Sequence, residues 1–342
     1  MSQKVVKLKI LEKAEYKLNY PKLKKVKDKE LFRNELYRKY KSVYLYKIQN
    51  IIISKNGEHT FSNKKLVFDY LRTNSLSGFK TIKQIILVLL FFLKKIKIYF
   101  ASYLVVDNGI IITDRHSSNY YHWVTDVLPK VYLINKRHDL NKFTILIPKF
   151  KSSFQKDSIR MITKNVKVIK KNTFLKKCYY ISQLNISGCP RPDLIQKVKK
   201  KLLLINKGKQ TAQKIYISRK YSKHRRLNNE NKIIKFLKSE NFKIVYPEKL
   251  SFIKQIKTFS KANFLISTHG AGLTNLIWMK PYSKILEIRS FNKHQNSNFA
   301  LSNLFKINYH YFLTEQKNYN SNGNYSLNYF KFKKFYKEVK MK

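Results

Sequence analysis

The 342-residue chain has only two cysteines, Cys178 and Cys189, and neither belongs to a CxxC pair or a Cys/His cluster. Two thiols cannot build a disulfide framework and offer no zinc site, so a reducing compartment is expected. Acidic residues are scarce too: 19 Asp and Glu stand against 72 Lys and Arg, a formal net charge of +53. Long apolar runs are missing. The most apolar stretch, Ile85 to Leu93 (IILVLLFFL), falls far short of the ~20 residues that cross a bilayer, and Lys83, Lys94, Lys95 and Lys97 bracket it. It suits a buried helix or strand, or a helix lying in a membrane interface with its lysines at the headgroups. The opening MSQKVVKLKILEKAEYKLNY breaks every apolar run with lysine, so no signal-peptide core is expected there. There is neither a Walker loop nor a GxGxxG fingerprint, which leaves ATP and NAD without support.

What is present argues for a folded protein. Hydrophobic residues make up 43% and aromatics 14%, with 24 Tyr and 23 Phe, enough for a substantial core. A disordered basic tail would lack them. The length allows one large domain or two ordinary ones. Of the 72 basic residues 11 are arginine and 61 lysine. Nucleic-acid readers favour arginine for bidentate contacts, and these lysines are scattered over the whole length, so no specific nucleic-acid partner is expected. Attraction to an anionic membrane surface follows from the same charge, at roughly 1 kcal/mol per lysine near the surface. The closing FKFKKFYKEVKMK suits either an interfacial or a solvated terminal helix.

The middle of the chain alternates strand and helix patterns. Tyr103 to Asp114 reads as two strands around an Asn108–Gly109 turn, followed by a helix from Tyr121 to Lys136. Strand-like Thr144 to Lys149, a helix near Phe154 to Thr163, and strands at Val166 to Lys170 and Cys178 to Leu184 come next. Gly188, Pro190 and Pro192 punctuate the chain there, and a Lys-rich helix follows. The pattern restarts with strand Lys214 to Ser218, helix Asn229 to Ser239, strand Phe242 to Tyr246 and helix Phe252 to Ser260. Strand Asn263 to Ser267, helix Leu273 to Met279 and strand Lys284 to Arg289 complete it. Such alternation predicts α/β lobes with parallel sheets, whose ligands bind beyond the carboxyl ends of the strands.

Three clusters fall at such ends. The first, Ser267-Thr268-His269-Gly270-Ala271-Gly272-Leu273-Thr274-Asn275, joins a strand to a helix. Its glycines permit close backbone approach, and the helix start offers free N–H groups to an anion such as a diphosphate. His269 could donate a hydrogen bond to a departing oxygen; a plain turn would also account for the glycines. The second cluster runs from Ser218, Arg219 and Lys220 through His224, Arg225 and Arg226 to Asn229 and Glu230. Three of 11 arginines fall within eight residues here, and the planar guanidinium suits phosphate or carboxylate. Asn229 could instead cap the next helix, and Glu230 could hold an arginine in place. The third is Asn119-Tyr120-Tyr121-His122-Trp123-Val124-Thr125-Asp126-Val127-Leu128-Pro129. His122 and Asp126 are four apart and share a helix face. An Asp beside a His orients the ring and raises its basicity, as a general base requires. Tyr121 and Trp123 could wall a sugar ring, or all four could simply shape an amphipathic turn.

Together the runs YYHWVTDVLPKVYLI, IYISRKYSKHRRLNNE and FKIVYPEKLSFIKQIKTFSKANFLISTHGAGLTNLIWMKPYSKILEI resemble glycosyltransferase family 61, over roughly Tyr44 to Phe312. The resemblance implies a GT-B-like α/β fold of two Rossmann-like lobes with parallel sheets facing a cleft. It also implies a nucleotide-sugar donor, expected as a UDP-sugar, bound mainly by the C-terminal lobe, and inversion at the anomeric carbon. Bacterial members resemble capsule or lipopolysaccharide biosynthesis enzymes. No Asp-x-Asp occurs, which argues against a metal-dependent donor site. Without a metal or other cofactor, arginines and a helix start must meet the leaving diphosphate. Arg219, Arg225, Asn229, Glu230, His269, Gly270, Ala271, Gly272 and Asn275 are the expected donor-side residues. Glu287 would accept hydrogen bonds from the donor ribose. His122 or Asp126 would be the base, and Tyr121 and Trp123 would contact the acceptor. The expected division is a basic N-terminal segment (1–40), an acceptor-side lobe (41–195, with 76–100 inserted at a membrane interface), a donor lobe (196–312) and a basic aromatic tail (313–342). The expected partners are the donor, a glycan or lipid-linked glycan acceptor and an anionic membrane surface. The expected location is cytoplasmic, peripheral on the inner membrane face. The competing expectation is a non-catalytic polyanion- or membrane-binding protein on a transferase-like scaffold.

Overall fold

The computed structural model describes residues 5–21, 26–53, 104–114, 116–149, 152–185, 189–204, 211–290, 296–314 and 323–341. The stretch 76–100, with its apolar run Ile85 to Leu93, lies outside the described residues. In chain order come strands β1 (Val5–Leu11), β2 (Ala14–Lys17), β3 (Tyr37–Tyr40), β4 (Val43–Ile53) and β5 (Leu104–Ile111). One helical segment then joins α1 (Tyr120–His122), a π turn (Trp123–Val127) and α2 (Leu128–Lys136). Strand β6 (Ile145–Pro148), helix α3 (Ser153–Arg160), strands β7 (Val166–Ile169) and β8 (Thr173–Ile181) and helix α4 (Pro192–Leu203) follow. The remainder holds β9 (Gln213–Ile217), α5 (Glu230–Ser239), β10 (Phe242–Val245), α6 (Phe252–Phe259), β11 (Ala262–Thr268) and a 3-10 helix (Ala271–Trp278). Strand β12 (Lys284–Arg289), helix α7 (Ser297–Leu304), β13 (Asn308–Leu313) and α8 (Tyr329–Met341) close it.

The chain divides into two compact units, Met1–Ala14 with Tyr40–Leu184, and Glu15–Lys39 with Asn185–Lys342. The division falls at 184/185, ahead of the expected 195/196, because α4 belongs wholly to the second unit. Its Lys199 donates to the Met279 carbonyl (2.7 Å) and its Gln196 to the Leu304 carbonyl (3.3 Å). The expected N-terminal segment 1–40 is also split. Strand β1 joins the first sheet, while Phe32 is buried in the second unit against Phe299, Tyr309 and Tyr311. Residues beyond 313 do not form a separate tail: Tyr325, Leu327, Phe332, Tyr336 and Val339 are part of the second unit's core.

The first unit holds a mixed six-stranded sheet, order β1-β4-β8-β5-β6-β7, where parallel pairing alone was expected. Strand β4 runs antiparallel to β1 and β8, whereas β8, β5, β6 and β7 run parallel. Antiparallel neighbours need no helical crossover, so β1 and β4 leave no βαβ signature in the sequence. The Asn108–Gly109 pair is not a turn. Strand β5 runs through it, with Asn108 beside Lys177 and Gly109 beside Cys178. Glycine is there for space: a Cβ at Gly109 would lie 2.5 Å from Leu146 Cδ1 on the next strand.

The second unit holds a five-stranded sheet, order β10-β9-β11-β12-β13, parallel throughout. Such strands are covered on both faces and read as continuous apolar runs, which explains the near-complete burial of ANFLIST and KILEIR. The chain leaves β9 toward β10 and returns to β11 on the other side of β9. That reversal between β9 and β11 is the topological switch point, where the connecting loops part and open a crevice at the carboxyl edge.

Candidate active site

Both loops that flank this switch point carry predicted residues. After β9, Ser218 is buried and its N–H donates to the Val245 carbonyl (3.1 Å), which extends the sheet by one residue. The Arg219 backbone N–H then donates to Glu230 Oε1 (3.1 Å), and the buried Tyr216 hydroxyl donates to the same oxygen (2.9 Å). The Arg219 side chain folds back so that Nη2 reaches Ser222 Oγ (2.7 Å) and the His224 carbonyl (2.9 Å). Its Nε is buried and finds no hydrogen-bond partner among the described residues. The guanidinium lies over Gly270 of the β11 loop, where an added Cβ would sit 1.9 Å from Nη1. Gly270 has an extended backbone (φ 165°, ψ 174°) that any residue adopts, so what requires glycine there is the arginine above it.

Burial, and then the neighbouring Arg225 charge, lower the Arg219 pKa, although a guanidinium stays protonated throughout. Arg225 is held at φ 59°, in the left-handed region a non-glycine residue enters at some cost. The Arg225 charge thus acts on Arg219, and no described carboxylate is ion-paired with either. Such a pair attracts an anion.

On the β11 side, His269 Nδ1 faces Glu287 Oε1 at 2.5 Å. Glu287 is 0% exposed; it also accepts from Asn298 Nδ2 (2.7 Å) and from the Tyr309 hydroxyl. Burial pushes its carboxyl up, but the His269 charge and hydrogen bond, with Arg289 and Tyr309, outweigh that and hold it down to about 2. Its oxygens are therefore committed to the protein, and Glu287 orients His269 instead of presenting a carboxylate to a ribose. Ala271 and Gly272 open the following helix, which is of the 3-10 kind and begins two residues before the expected Leu273. Asn275 contributes to this: its Nδ2 donates to the Gly272 carbonyl (3.1 Å), competing with regular main-chain pairing.

Three other donor-side predictions need correction. Asn275 is fully buried between Gln255 (3.0 Å) and the Trp278 indole N–H (3.1 Å). Asn229 does not cap α5 through its side chain; its amide donates to the Leu327 carbonyl (2.7 Å) and accepts from the Leu327 N–H (3.2 Å), clamping the segment before α8. Glu230 holds the Arg219 backbone, not a guanidinium. All three secure the loops from behind.

The first unit presents a different constellation. His122 Nδ1 and Asp126 Oδ2 are 2.8 Å apart, each side chain about one-third exposed. Asp126 lies within the π turn. Pro129 causes that turn: it supplies no N–H to the Thr125 carbonyl and its ring crowds that oxygen. The Leu128 N–H accordingly reaches back to Trp123 O, and the Thr125 hydroxyl bonds to Tyr121 O (2.8 Å) and to Asp126 Oδ1 (2.9 Å). Burial lowers the His122 pKa, but the Asp126 hydrogen bond and charge, with Asp114, outweigh it and raise the value above 6.5. Tyr121 is half-buried with its ring 5.4 Å from that of His122. Trp123 cannot wall a sugar: it is 0% exposed and its Nε1 donates to Ser158 Oγ (2.7 Å).

Sequence reasoning missed the groups beneath this pair. Asp114, just past β5, accepts from the His116 N–H (2.8 Å) and the Ser117 hydroxyl (3.0 Å). Lys130 is buried, and its charge interacts with both Asp114 and Asp126. Burial lowers the Lys130 pKa against those two carboxylates. The signal was present: 122, 126 and 130 continue one four-residue spacing along a helix face.

A family model described as Glycosyltransferase 61 matches residues 120–286, from the start of α1 to the strand carrying Glu287. No curated protein matches the chain.

Proposed function

The chain carries a glycosyltransferase family 61 domain and is a glycosyltransferase; from that premise we propose that it inverts the anomeric centre while moving a sugar from a nucleotide-sugar donor, a UDP-sugar, to a hydroxyl of a surface-glycan intermediate of the capsule or lipopolysaccharide kind. The observation that supports this most is the Arg219 guanidinium lying over Gly270 beside Arg225, with a buried unpartnered Nε, at the switch point of a parallel sheet. Two such cations and the amides that open the 3-10 helix suit the two charges of a diphosphate.

The chemistry balances as follows. The acceptor hydroxyl oxygen attacks the anomeric carbon while the bond from that carbon to the diphosphate oxygen breaks on the opposite face. The hydroxyl proton passes to His122 Nε2, and Asp126, already bonded to Nδ1, stabilises the imidazolium that forms. The leaving oxygen's new charge meets Arg219, Arg225 and a hydrogen bond from His269. In this reading the first unit is assigned the proton acceptor and the second the donor-binding residues, as the GT-B-like expectation has it. Because arginines carry the phosphate charge, the activity is metal-independent. The acceptor is a glycan or lipid-linked glycan, met at the cytoplasmic face of a membrane.

Incubating the full chain with a panel of nucleotide sugars tests this, with calorimetry for binding and nucleotide release for turnover. Binding of one donor, release unaffected by EDTA and a product of inverted anomeric configuration are expected. Failure of the folded protein to bind any nucleotide sugar overturns the proposal.

A further inference from the structure

The C-terminal helix α8 presents two unlike faces. Phe332, Tyr336 and Val339 are buried in the second unit's core, where Tyr336 stacks on Phe264 and meets Phe236 edge-on. The opposite face carries Phe330, Lys334, Lys337 and Met341, spaced four, three and four residues apart, so they form one stripe along the helix. All four are exposed; Phe330 is 75% and Met341 82% open to solvent. Lys331 and Lys340 flank the stripe. From α5, Lys232 lies 4.6 Å from the Tyr329 ring centroid and 5.4 Å from that of Phe330, which adds a further cation beside the aromatic end. The acidic groups near this face are few: Glu240 is engaged by Lys340 (2.8 Å) and the Tyr336 hydroxyl (3.0 Å), and Glu338 is half-buried.

We propose that this outward face of α8, with Lys232, docks the protein onto an anionic lipid bilayer. The stripe alternates an aromatic, lysines and a thioether, so it has no continuous apolar seam for a partner helix. A flat anionic surface complements it: the lysine stems lie along the boundary with their ammonium groups at the phosphates, while Phe330 and Met341 enter the headgroup region. Nucleic acid fits less well, because α8 contains no arginine. The buried face of the helix is already committed to the core, so contact is peripheral and salt-sensitive. Docking here does not depend on the transferase chemistry and is tested without substrate.

The test uses the full chain carrying Phe330→Trp. Both native tryptophans, Trp123 and Trp278, are buried, so the introduced indole is the one that acrylamide reaches. Adding phosphatidylcholine vesicles that contain phosphatidylglycerol should shift its emission to the blue and protect it from acrylamide. Vesicles of phosphatidylcholine alone, or high salt, should do neither. In co-sedimentation with the anionic vesicles, the triple variant Lys331→Glu/Lys334→Glu/Lys337→Glu should bind about a hundredfold more weakly or worse. A charge-matched control in the first unit, Lys167→Glu/Lys170→Glu/Lys171→Glu, all three exposed, should lose less than about tenfold. An indole that stays fully accessible in the presence of bound vesicles overturns the proposal, as do equal losses in the two charge variants. Stronger protection by a poly-uridine strand than by vesicles assigns the face to a polyanion and overturns it equally.

Discussion

The two sheets end in edges of opposite electrostatic design. In the second unit Glu287 and Glu230 are buried and hold His269 and the Arg219 backbone from behind, while the Arg219 side chain is part-exposed at the loop. In the first unit the cation is inside: Lys130 is buried among Asp114, Asp126 and the Tyr180 ring, and the part-exposed His122–Asp126 pair lies above it. At each edge the buried charge is met by hydrogen bonds or by charges of the opposite sign, because an unpaired ion out of water is costly. An edge that shows arginines attracts an anion; an edge that shows a carboxylate-bound imidazole can take a proton.

Substitutions at the two edges should therefore separate cleanly. The largest effect is expected from His122→Ala, which should lower kcat by about 10²–10⁴-fold and leave the donor Kd unchanged by calorimetry. If donor affinity falls as far as kcat, the two edges do not have distinct tasks. Arg219→Ala should lower kcat/KM by about 10²–10³-fold and weaken nucleotide binding in parallel. Arg219→Lys should recover little, since an ammonium cannot replace the planar fork. Gly270→Ala should cost roughly tenfold in nucleotide affinity by displacing the same guanidinium, with a melting temperature close to the parent's because its backbone is open to alanine.

Two smaller effects concern protons. A base must be unprotonated, so kcat/KM should rise with pH through a pKa above 6.5, the raised value of His122. Asp126→Asn removes the hydrogen bond and charge that raise it, and should move this limb to lower pH. A limb that stays in place would mean that another group titrates. Glu287 should be visible only in acid. Its folded pKa is depressed to about 2, so its stabilising contribution is present above its ordinary value of 4.5 and is lost as pH falls toward 2. Urea unfolding across that window should show the loss in the parent protein and a flatter profile in Glu287→Gln.

Much of this was legible in the sequence. The arginine cluster stood out because arginine is rare in a lysine-rich chain, and the strand–turn–helix order placed Arg219 and His269 at strand ends. Spacing alone brought His122 and Asp126 together, since contacts four apart on a helix are local. The antiparallel strands β1 and β4 were not legible, because a strand paired without a crossover leaves no alternating pattern. The Asn108–Gly109 pair misled, because the same glycine that serves a turn also serves a crowded strand.

The sequence by itself determined the net charge, the α/β alternation, the order of the motifs and the likeness to a transferase family. Only the tertiary structure decided which residues in those motifs face a ligand and which face the protein. Asn229 is engaged 98 residues away by Leu327, Trp123 35 away by Ser158, Glu287 22 away by Tyr309, and Asn275 20 away by Gln255. Each looked like a site residue because polar and aromatic groups at a strand end suit a ligand. Each was turned inward by a partner distant in the chain, because a buried polar group must be satisfied and the nearest satisfying group is set by packing.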